Sequence, residues 1–326
     1  MRAAFYEQNG AARAVLRLGE IATPEPGPGE VRVRLATSGV NPSDVKSRAG
    51  INRKMAFPRV VPHSDGAGTI ERVGVGVPDS RLGERVWIWN GQWKRPLGTA
   101  AEYIVLPAAQ AVPLPVSVGF DGGACLGIPA LTAWQAVMGD GSVAGKAVLV
   151  AGGAGAVGHY AVQIAKAGGA RVLATVSGPE KAAHAVAAGA DHAINYRSED
   201  VGARVRELTG GRGVDRVVEM DITANARLLP GVLAPRGTVA VYGIGGPEAP
   251  LPAPFCLFAA VTVKFFLVYD LSDAERTAAI AGIDRLMAEG RLAHAVAAVL
   301  PLDRIAEAHE MVEQGRAMGN VVLTIA

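Results

Sequence analysis

One stretch constrains the fold more than any other: AVLVAGGAGAVGHYAVQIAK, from Ala147 to Lys166. An apolar run of strand length leads into clustered glycines and then into an amphipathic helical segment. Gly153, Gly155 and Gly158 satisfy G-x-G-x-x-G, and with Gly152 they also satisfy G-x-x-G-x-x-G. The first glycines permit a tight turn and let a pyrophosphate approach the backbone. The last lets the helix lie close to its strand, and the amides at the helix N-terminus attract phosphate. In a chain with 41 glycines the spacing alone is weak evidence, but the strand before it and the helix after it supply the required context. Gly152, Gly153, Ala154, Gly155, Ala156, Val157 and Gly158 are therefore the expected dinucleotide cradle. The bland alternative is a purely structural glycine turn.

The loop begins nearly halfway along a chain of 326 residues, a length that favours two domains. Up to about residue 120 the sequence is strand-like and punctuated by Gly and Pro. EVRVRLATSGV alternates from Val31 as a half-buried strand would, and GAGTIERVGVGV, LGERVWIW and AAEYIVLP read as further short strands. Such spacing suggests a compact, barrel-like β domain. GGACLGIPALTAWQAVM then reads as helices, with Pro129 near a helix start. After Lys146, strands and helices alternate through AVLVAG, ARVLATV, DHAINY, VDRVVEM and TVAVYG. Repeated βα units imply an α/β domain with a parallel sheet covered by helices. The chain turns helical again from Ser272 and closes with helix RIAEAHEMVEQG and strand NVVLTIA.

The end of the second strand bears on which dinucleotide is bound. Domains that bind NAD usually carry an acid there to accept the ribose hydroxyls. Here the strand runs into ATVSGPEK, and no acid occurs between Gly153 and Glu180. Ser177 can hydrogen-bond a 2′-phosphate and Lys181 can neutralise it, whereas a carboxylate would repel it. The pattern favours NADPH, although Lys181 also reads as an ordinary solvated helix residue.

Composition excludes several classes. The net charge is +2, from 32 basic and 30 acidic residues, and no Lys/Arg run marks a nucleic-acid footprint. The most apolar tract, FCLFAAVTVKFFLVYD (Phe255 to Asp270), is short and contains Lys264, so it reads as a buried strand and not as a membrane span. The N-terminus carries Glu7 and no apolar core of a signal peptide. Two cysteines, Cys125 and Cys256, are too few for a disulfide scaffold or a four-thiolate zinc site. A soluble, cytoplasmic, metal-poor protein is expected.

Several further segments carry a resemblance: SGVNPSDVKSRAG (Ser38 to Gly50), HSDGAGTIERVGVGV (His63 to Val77) and GTAAEYIVLP (Gly98 to Pro107) in the first part. LGIPALTAWQAV (Leu126 to Val137), GADHAINYR (Gly189 to Arg197) and AHEMVEQGRAMGNVVL (Ala308 to Leu323) follow. With the glycine loop they resemble the medium-chain dehydrogenase/reductase superfamily, and within it the zinc-free, zeta-crystallin-like quinone oxidoreductase branch. The resemblance covers essentially the whole chain. It implies a GroES-like domain over residues 1–122 and 270–326, with a Rossmann NADP-binding domain over 123–269. It implies that Ser177, Lys181 and Tyr196 contact the 2′-phosphate, and that Asn41 and Thr132 lie beside the nicotinamide. Backbone at Gly243, Ile244, Phe266, Leu267 and Val268 would hold the carboxamide. Asn320 stands where such proteins often carry a lysine that meets the cofactor. A homodimer joined through the VTVKFFLVYD strand is also implied.

Zinc enzymes of the superfamily place Cys where this chain has Asn41, and a His-Glu pair near His63 and Ser64. Catalytic zinc needs about three protein ligands, whereas His63 and Asp65 would supply at most two, so no metal is expected. Without a Lewis acid an unactivated alcohol is hard to oxidise, but a quinone or conjugated enone is already electrophilic. Hydride transfer from NADPH to such an acceptor is the leading reading, with Asn41 and Thr132 as donors to the carbonyl oxygen. As a bland alternative, Asn41 before Pro42 is also a good turn residue. A 2-enoyl or enone reductase and a low-turnover NADPH-binding sensor or structural protein are the rival readings. Asp44, Lys46 and Arg48 could line the site or form an exposed charged turn. Trp87, Trp89 and Trp93 could form an aromatic wall or pack the β domain, and Tyr103 could be an acid or part of the core. No Tyr-x-x-x-Lys occurs, so the short-chain reductase mechanism lacks its residues.

Overall fold

The glycine-punctuated first part does form strands: β1 (Arg2–Phe5), β2 (Arg17–Glu20), β3 (Glu30–Val40), β4 (Asp65–Val73), β5 (Arg85–Ile88), β6 (Tyr103–Pro107) and β7 (Ala111–Pro113). The computed structural model describes residues 1–51 and 54–325. Ala326, the last residue of the expected closing strand, lies outside them. The βα series that follows contributes β8 (Ala147–Val150), β9 (Arg171–Val176), β10 (His192–Asn195), β11 (Val214–Glu219), β12 (Leu233–Val241) and β13 (Thr262–Phe265). β14 (Val296–Pro301) and β15 (Asn320–Thr324) complete the chain.

In the first unit, β14-β15-β3-β4-β5-β7 form one sheet and β6 pairs with β3. β3 is more buried than its alternation suggested. It meets β4, β6 and β15 along its length, so outward positions are covered too. Arg32, one of these, is 5% exposed and is satisfied by Glu25 at 2.7 Å and Glu71 at 3.1 Å. Val31, Val33, Leu35, Ile70, Ile104 and Leu323 are among the core residues.

In the second unit the strand order is β10-β9-β8-β11-β12-β13 and every pairing is parallel. Val148, Val150, Val217 and Val239 are buried, as expected for strands covered on both faces. The order reverses at β8, and in such sheets the crevice for a ligand opens at the carboxyl ends of the strands beside the reversal.

The two compact units are Met1–Ile128 with His294–Ala326, and Pro129–Ala293. Residues 270–293, expected with the β domain, thus group with the βα domain, and 123–128 group with the first. The reason is packing: the helix Asp273–Ala288 lies on the helix Leu131–Met138. Gln135 donates to Glu275 at 2.8 Å, and Gly282 leaves no room for a side chain against the Trp134 ring.

Two local expectations change. GGACLGIPALTAWQAVM is a broken series: a turn of helix at Phe120–Gly123, a π-helical turn at Leu126–Ala130 containing Pro129, then Leu131–Met138. Pro129 has no N–H to donate, so a regular helix cannot run through it. The tract from Phe255 to Asp270 is not a buried strand. Its first residues lie in the helix Ala253–Phe258, and β13 occupies the edge of the sheet, with Phe258 88% and Phe265 56% exposed. Among the described residues no helix is long and apolar enough to cross a membrane.

Candidate active site

Asn41 leaves β3 in an extended conformation and caps the helix Pro42–Ala49, whose first residue is a proline, a favourable start because its missing N–H is not needed there. Asn41 and Asp44 form a capping box, in which Asp44 Oδ2 accepts the Asn41 backbone N–H at 2.8 Å. Asn41 Nδ2 donates to Asp65 Oδ2 at 2.8 Å. Asn41, Asp44 and Asp65 are all buried. Burial pushes the Asp44 carboxyl up to about 7, against the pull of its bonds to Asn41. Burial, with the neighbouring Asp44 charge, also holds Asp65 well above the usual carboxylate range, while Asn41 and the Ile128 N–H act in the other direction.

A hydrogen-bonded chain runs to Asp65 from the helix Ile305–Glu313, and its polarity follows from its end. Thr99 Oγ1 bonds the Asp65 carbonyl oxygen, which can only accept, so Thr99 donates there. Ser38 must then donate to Thr99 Oγ1, at 2.8 Å, and so must accept from His63 Nδ1, at 2.8 Å. That leaves His63 Nε2 to accept from His309 Nε2, at 2.9 Å. Both imidazoles are neutral: burial pushes His63 down to about 3 and His309 well below its ordinary value. His63 also holds a left-handed φ of 78°, a conformation that two ring bonds and dense packing sustain.

These residues do not fit a catalytic zinc. Both His63 nitrogens are engaged, Cys125 is buried with its thiol pushed up, and Asn41 carries a carboxamide, a poor zinc ligand. Among the described residues no group of three or more His, Cys, Asp or Glu side chains is placed to hold a metal ion.

The glycine loop in the second unit is clipped to the neighbouring strand. Gly152 N–H donates to Thr175 Oγ1 at 3.1 Å, and Gly153 N–H to the Thr175 carbonyl at 3.0 Å. Gly152 adopts φ 68°. A side chain at Gly153 would strike Ala174, and one at Gly158 would strike the Gly152 carbonyl. Gly155 differs. It caps the helix Ala156–Ala167 at φ −79°, which any residue adopts, and the nearest atom to a Cβ there is the Gly152 oxygen at 3.4 Å. Its missing side chain leaves space instead of relieving a clash, as close phosphate approach to a helix N-terminus requires. Gly152 and Gly155 to Val157 are partly exposed, while Gly153, Ala154 and Gly158 are buried.

The other expected cofactor residues follow the carboxyl ends of adjacent strands. Ser177 follows β9, and Lys181 lies in the first turn of the helix Pro179–Ala187. Tyr196 follows β10, is 52% exposed and donates its backbone N–H to Val176 at 3.1 Å, which sets it beside Ser177. Gly243 and the half-exposed Ile244 follow β12, with Gly243 tight against the Met220 carbonyl. Phe266 donates to Val241 at 3.1 Å, so Phe266, Leu267 and Val268 continue the same edge. Thr132 is buried in the helix Leu131–Met138. Asn320 belongs to the first unit, where its Nδ2 is committed to the Ala295 carbonyl at 3.0 Å. Val321 pairs with Val40, so Asn320 and Asn41 leave that strand pair at one end.

Other candidates resolve toward packing. Asp44 and Arg48 are not an exposed turn: Arg48 is fully buried and donates to Gly10 O at 2.5 Å and Glu313 at 3.0 Å. Trp87 is core, Trp89 and Trp93 are half-buried, and Tyr103 lies under the Arg32 guanidinium at 5.3 Å. Sequence reasoning missed Thr175, Ser38 and Thr99, and weighed Asp65 only as a metal ligand. The period-2 pattern marks Ser38 and Thr175 only as strand residues, and Thr99 lies outside the strands.

The alcohol dehydrogenase GroES-like domain family matches residues 27–116, and the zinc-binding dehydrogenase family matches 156–284. A quinone oxidoreductase of Sus scrofa is 30% identical over 94% of this chain and 92% of its own. A 2-haloacrylate reductase of Burkholderia sp is 35% identical over 74% of this chain and 73% of its own. Among solved structures, an NAD-dependent alcohol dehydrogenase superposes with TM-score 0.89 at 33% identity, covering 100% of both chains. The Escherichia coli quinone oxidoreductase complexed with NADPH gives 0.89 at 26% identity, covering 99% of this chain and 100% of that one. Over its whole length, therefore, the chain belongs to the quinone oxidoreductase branch of the medium-chain dehydrogenase/reductase superfamily.

Proposed function

We propose that this chain is an NADPH-dependent reductase of quinones or related conjugated carbonyls that works without a metal ion. The observation that carries the reading is the carboxamide of Asn41, buried and bonded to Asp65, at the position where the family resemblance places a metal-binding thiolate in zinc enzymes. A carboxamide donates a hydrogen bond but supplies no Lewis acid, which suits an acceptor that is already electrophilic. NADPH, when bound, supplies a hydride from C4 of its nicotinamide. The amides after Gly155 would face its pyrophosphate, Ser177, Lys181 and Tyr196 its 2′-phosphate, and backbone at Gly243, Ile244 and Phe266 to Val268 its carboxamide. Asn41 Nδ2 donates to Asp65, and the Asn41 side chain also meets the Asp44 carboxyl; on binding, the acceptor oxygen would compete with Asp44 for a hydrogen of Nδ2, with Thr132 as a further donor. Asn320 would contribute little to the cofactor, because its amide nitrogen is already held by Ala295.

The identity with a 2-haloacrylate reductase favours one second reading, reduction of a conjugated carbon–carbon double bond with protonation at carbon. The edge strand β13 and its exposed Phe265 support a homodimer built by sheet extension, in a cytoplasmic setting. The deciding experiment is a substrate panel with NADPH, run beside NADH. We expect oxidation of NADPH with 1,4-benzoquinone, weaker turnover of enones, and none of simple alcohols with NADP⁺. Turnover of enones or haloacrylates alone would select the second reading. Tight NADPH binding without turnover of any acceptor would make the chain a binding protein. Equal or tighter NADH binding would remove the roles given to Ser177 and Lys181.

A further inference from the structure

An asparagine amide has nearly the same shape at its two ends, so its neighbours decide whether N–H or C=O is presented. Two carboxyls bear on Asn41 at that point: Asn41 Nδ2 meets Asp65 Oδ2 at 2.8 Å, the Asn41 side chain also bonds Asp44, and all three residues are buried. The other group directed at this carboxyl is the Ile128 N–H, also a donor. Asp65 Oδ1 has no hydrogen-bond partner among the described residues, and Oδ2 accepts from Asn41 whether or not Oδ1 carries a proton. The Asp65 backbone is pinned independently through Thr99, Ser38, His63 and His309. That chain ends on a carbonyl oxygen, so it delivers no proton to the carboxyl or to Asn41; it serves as a strap. On the other side, a side chain at Gly127 would strike Asp65 Oδ1.

We propose that Asp65 is a positioning residue that selects the orientation of the Asn41 amide, keeping Nδ2 rather than Oδ1 in the donor position toward the acceptor. The proposal rests on the role assigned to Asn41 above. Asp65→Asn keeps the size but offers either end of an amide, so one of the two carboxyls that favour Nδ2 over Oδ1 is lost. Asp65 itself touches neither substrate nor cofactor in this account.

The test uses the full chain with NADPH and 1,4-benzoquinone, comparing N41A, D65N and the double variant, with thermal melting and NADPH affinity as controls on folding. We expect N41A to lower kcat about 10²-fold and D65N about 10-fold, with the KM for quinone and the Kd for NADPH changed less than about threefold. The double variant should be no slower than N41A alone, because a positioning residue has nothing left to position. Parental kcat in D65N, or multiplied losses in the double variant, would overturn the positioning role while leaving Asn41 in place. Parental kcat in N41A would instead remove the donor role of Asn41, and this proposal with it. If D65N fails to fold, the swap N41D/D65N keeps one amide and one carboxylate facing each other. The swap should fold and remain as slow as N41A, and restored activity in it would overturn the proposal.

Discussion

A buried carboxylate whose bonds come from amides gains little of what water supplied to its charge, and Asp44 shows the consequence most directly. Its carboxyl is raised to about 7 from an unfolded value near ~4. A raised folded pKa means the folded chain binds the extra proton, so the stabilising contribution is complete below about pH 4 and is lost as pH rises to about 7. Asp44→Asn keeps an acceptor for the Asn41 N–H and removes the titration. The variant should therefore gain on the parent between pH 4 and 7 and hold a constant advantage above that, of about 4 kcal/mol at most. Melting curves of both proteins from pH 4 to 9 check this; curves that stay parallel throughout would assign the titration elsewhere. Asn41 is singled out by the resemblance of SGVNPSDVKSRAG to the family, since an Asn-Pro step by itself reads equally as a turn. The Asn41–Asp65 bond was not legible, because 24 residues separate the partners and only the β3–β4 pairing brings them together. The buried state of Arg48 was hidden for the same reason: a charged residue in a short polar helix reads as solvated until Gly10 and Glu313 are seen around it.

At the scale of elements, the glycine loop separates packing from function within one motif. Gly158 is required by the Gly152 carbonyl beneath it, whereas Gly155 has an ordinary φ and open space. Gly158→Ala should lower the melting temperature by about 5 °C, since backbone must move. Gly155→Ala should melt within about 2 °C of the parent yet bind NADPH about 10-fold more weakly, read by fluorescence titration. Equal NADPH affinity in Gly155→Ala would mean that its open space faces no phosphate. The strand-loop-helix order was readable because the switch from an apolar run to a 3.6-residue period is local. The clip from Thr175 to the loop was not, since it depends on β9 lying beside β8.

For the whole molecule, the tract around β13 carries the remaining prediction. Phe265 in the edge strand and Phe258 at the end of the preceding helix are largely exposed, and open apolar edges of this kind are normally covered. Sedimentation should give a homodimer, and F258E/F265E should shift it to monomer while NADPH affinity stays within about threefold. A monomeric parent would leave the edge without that partner. The same tract marks the limit of sequence reading, because an apolar segment is equally compatible with a buried strand and with a covered surface. What the sequence determined alone was everything set by local periodicity and by spaced glycines: an α/β chain of two parts, a parallel βα series and a strand-glycine-helix turn. Tertiary structure decided which charges are buried, where Asp273–Ala288 belongs and which carboxylate holds Asn41. Those depend on contacts between residues far apart in the chain, which no local pattern encodes.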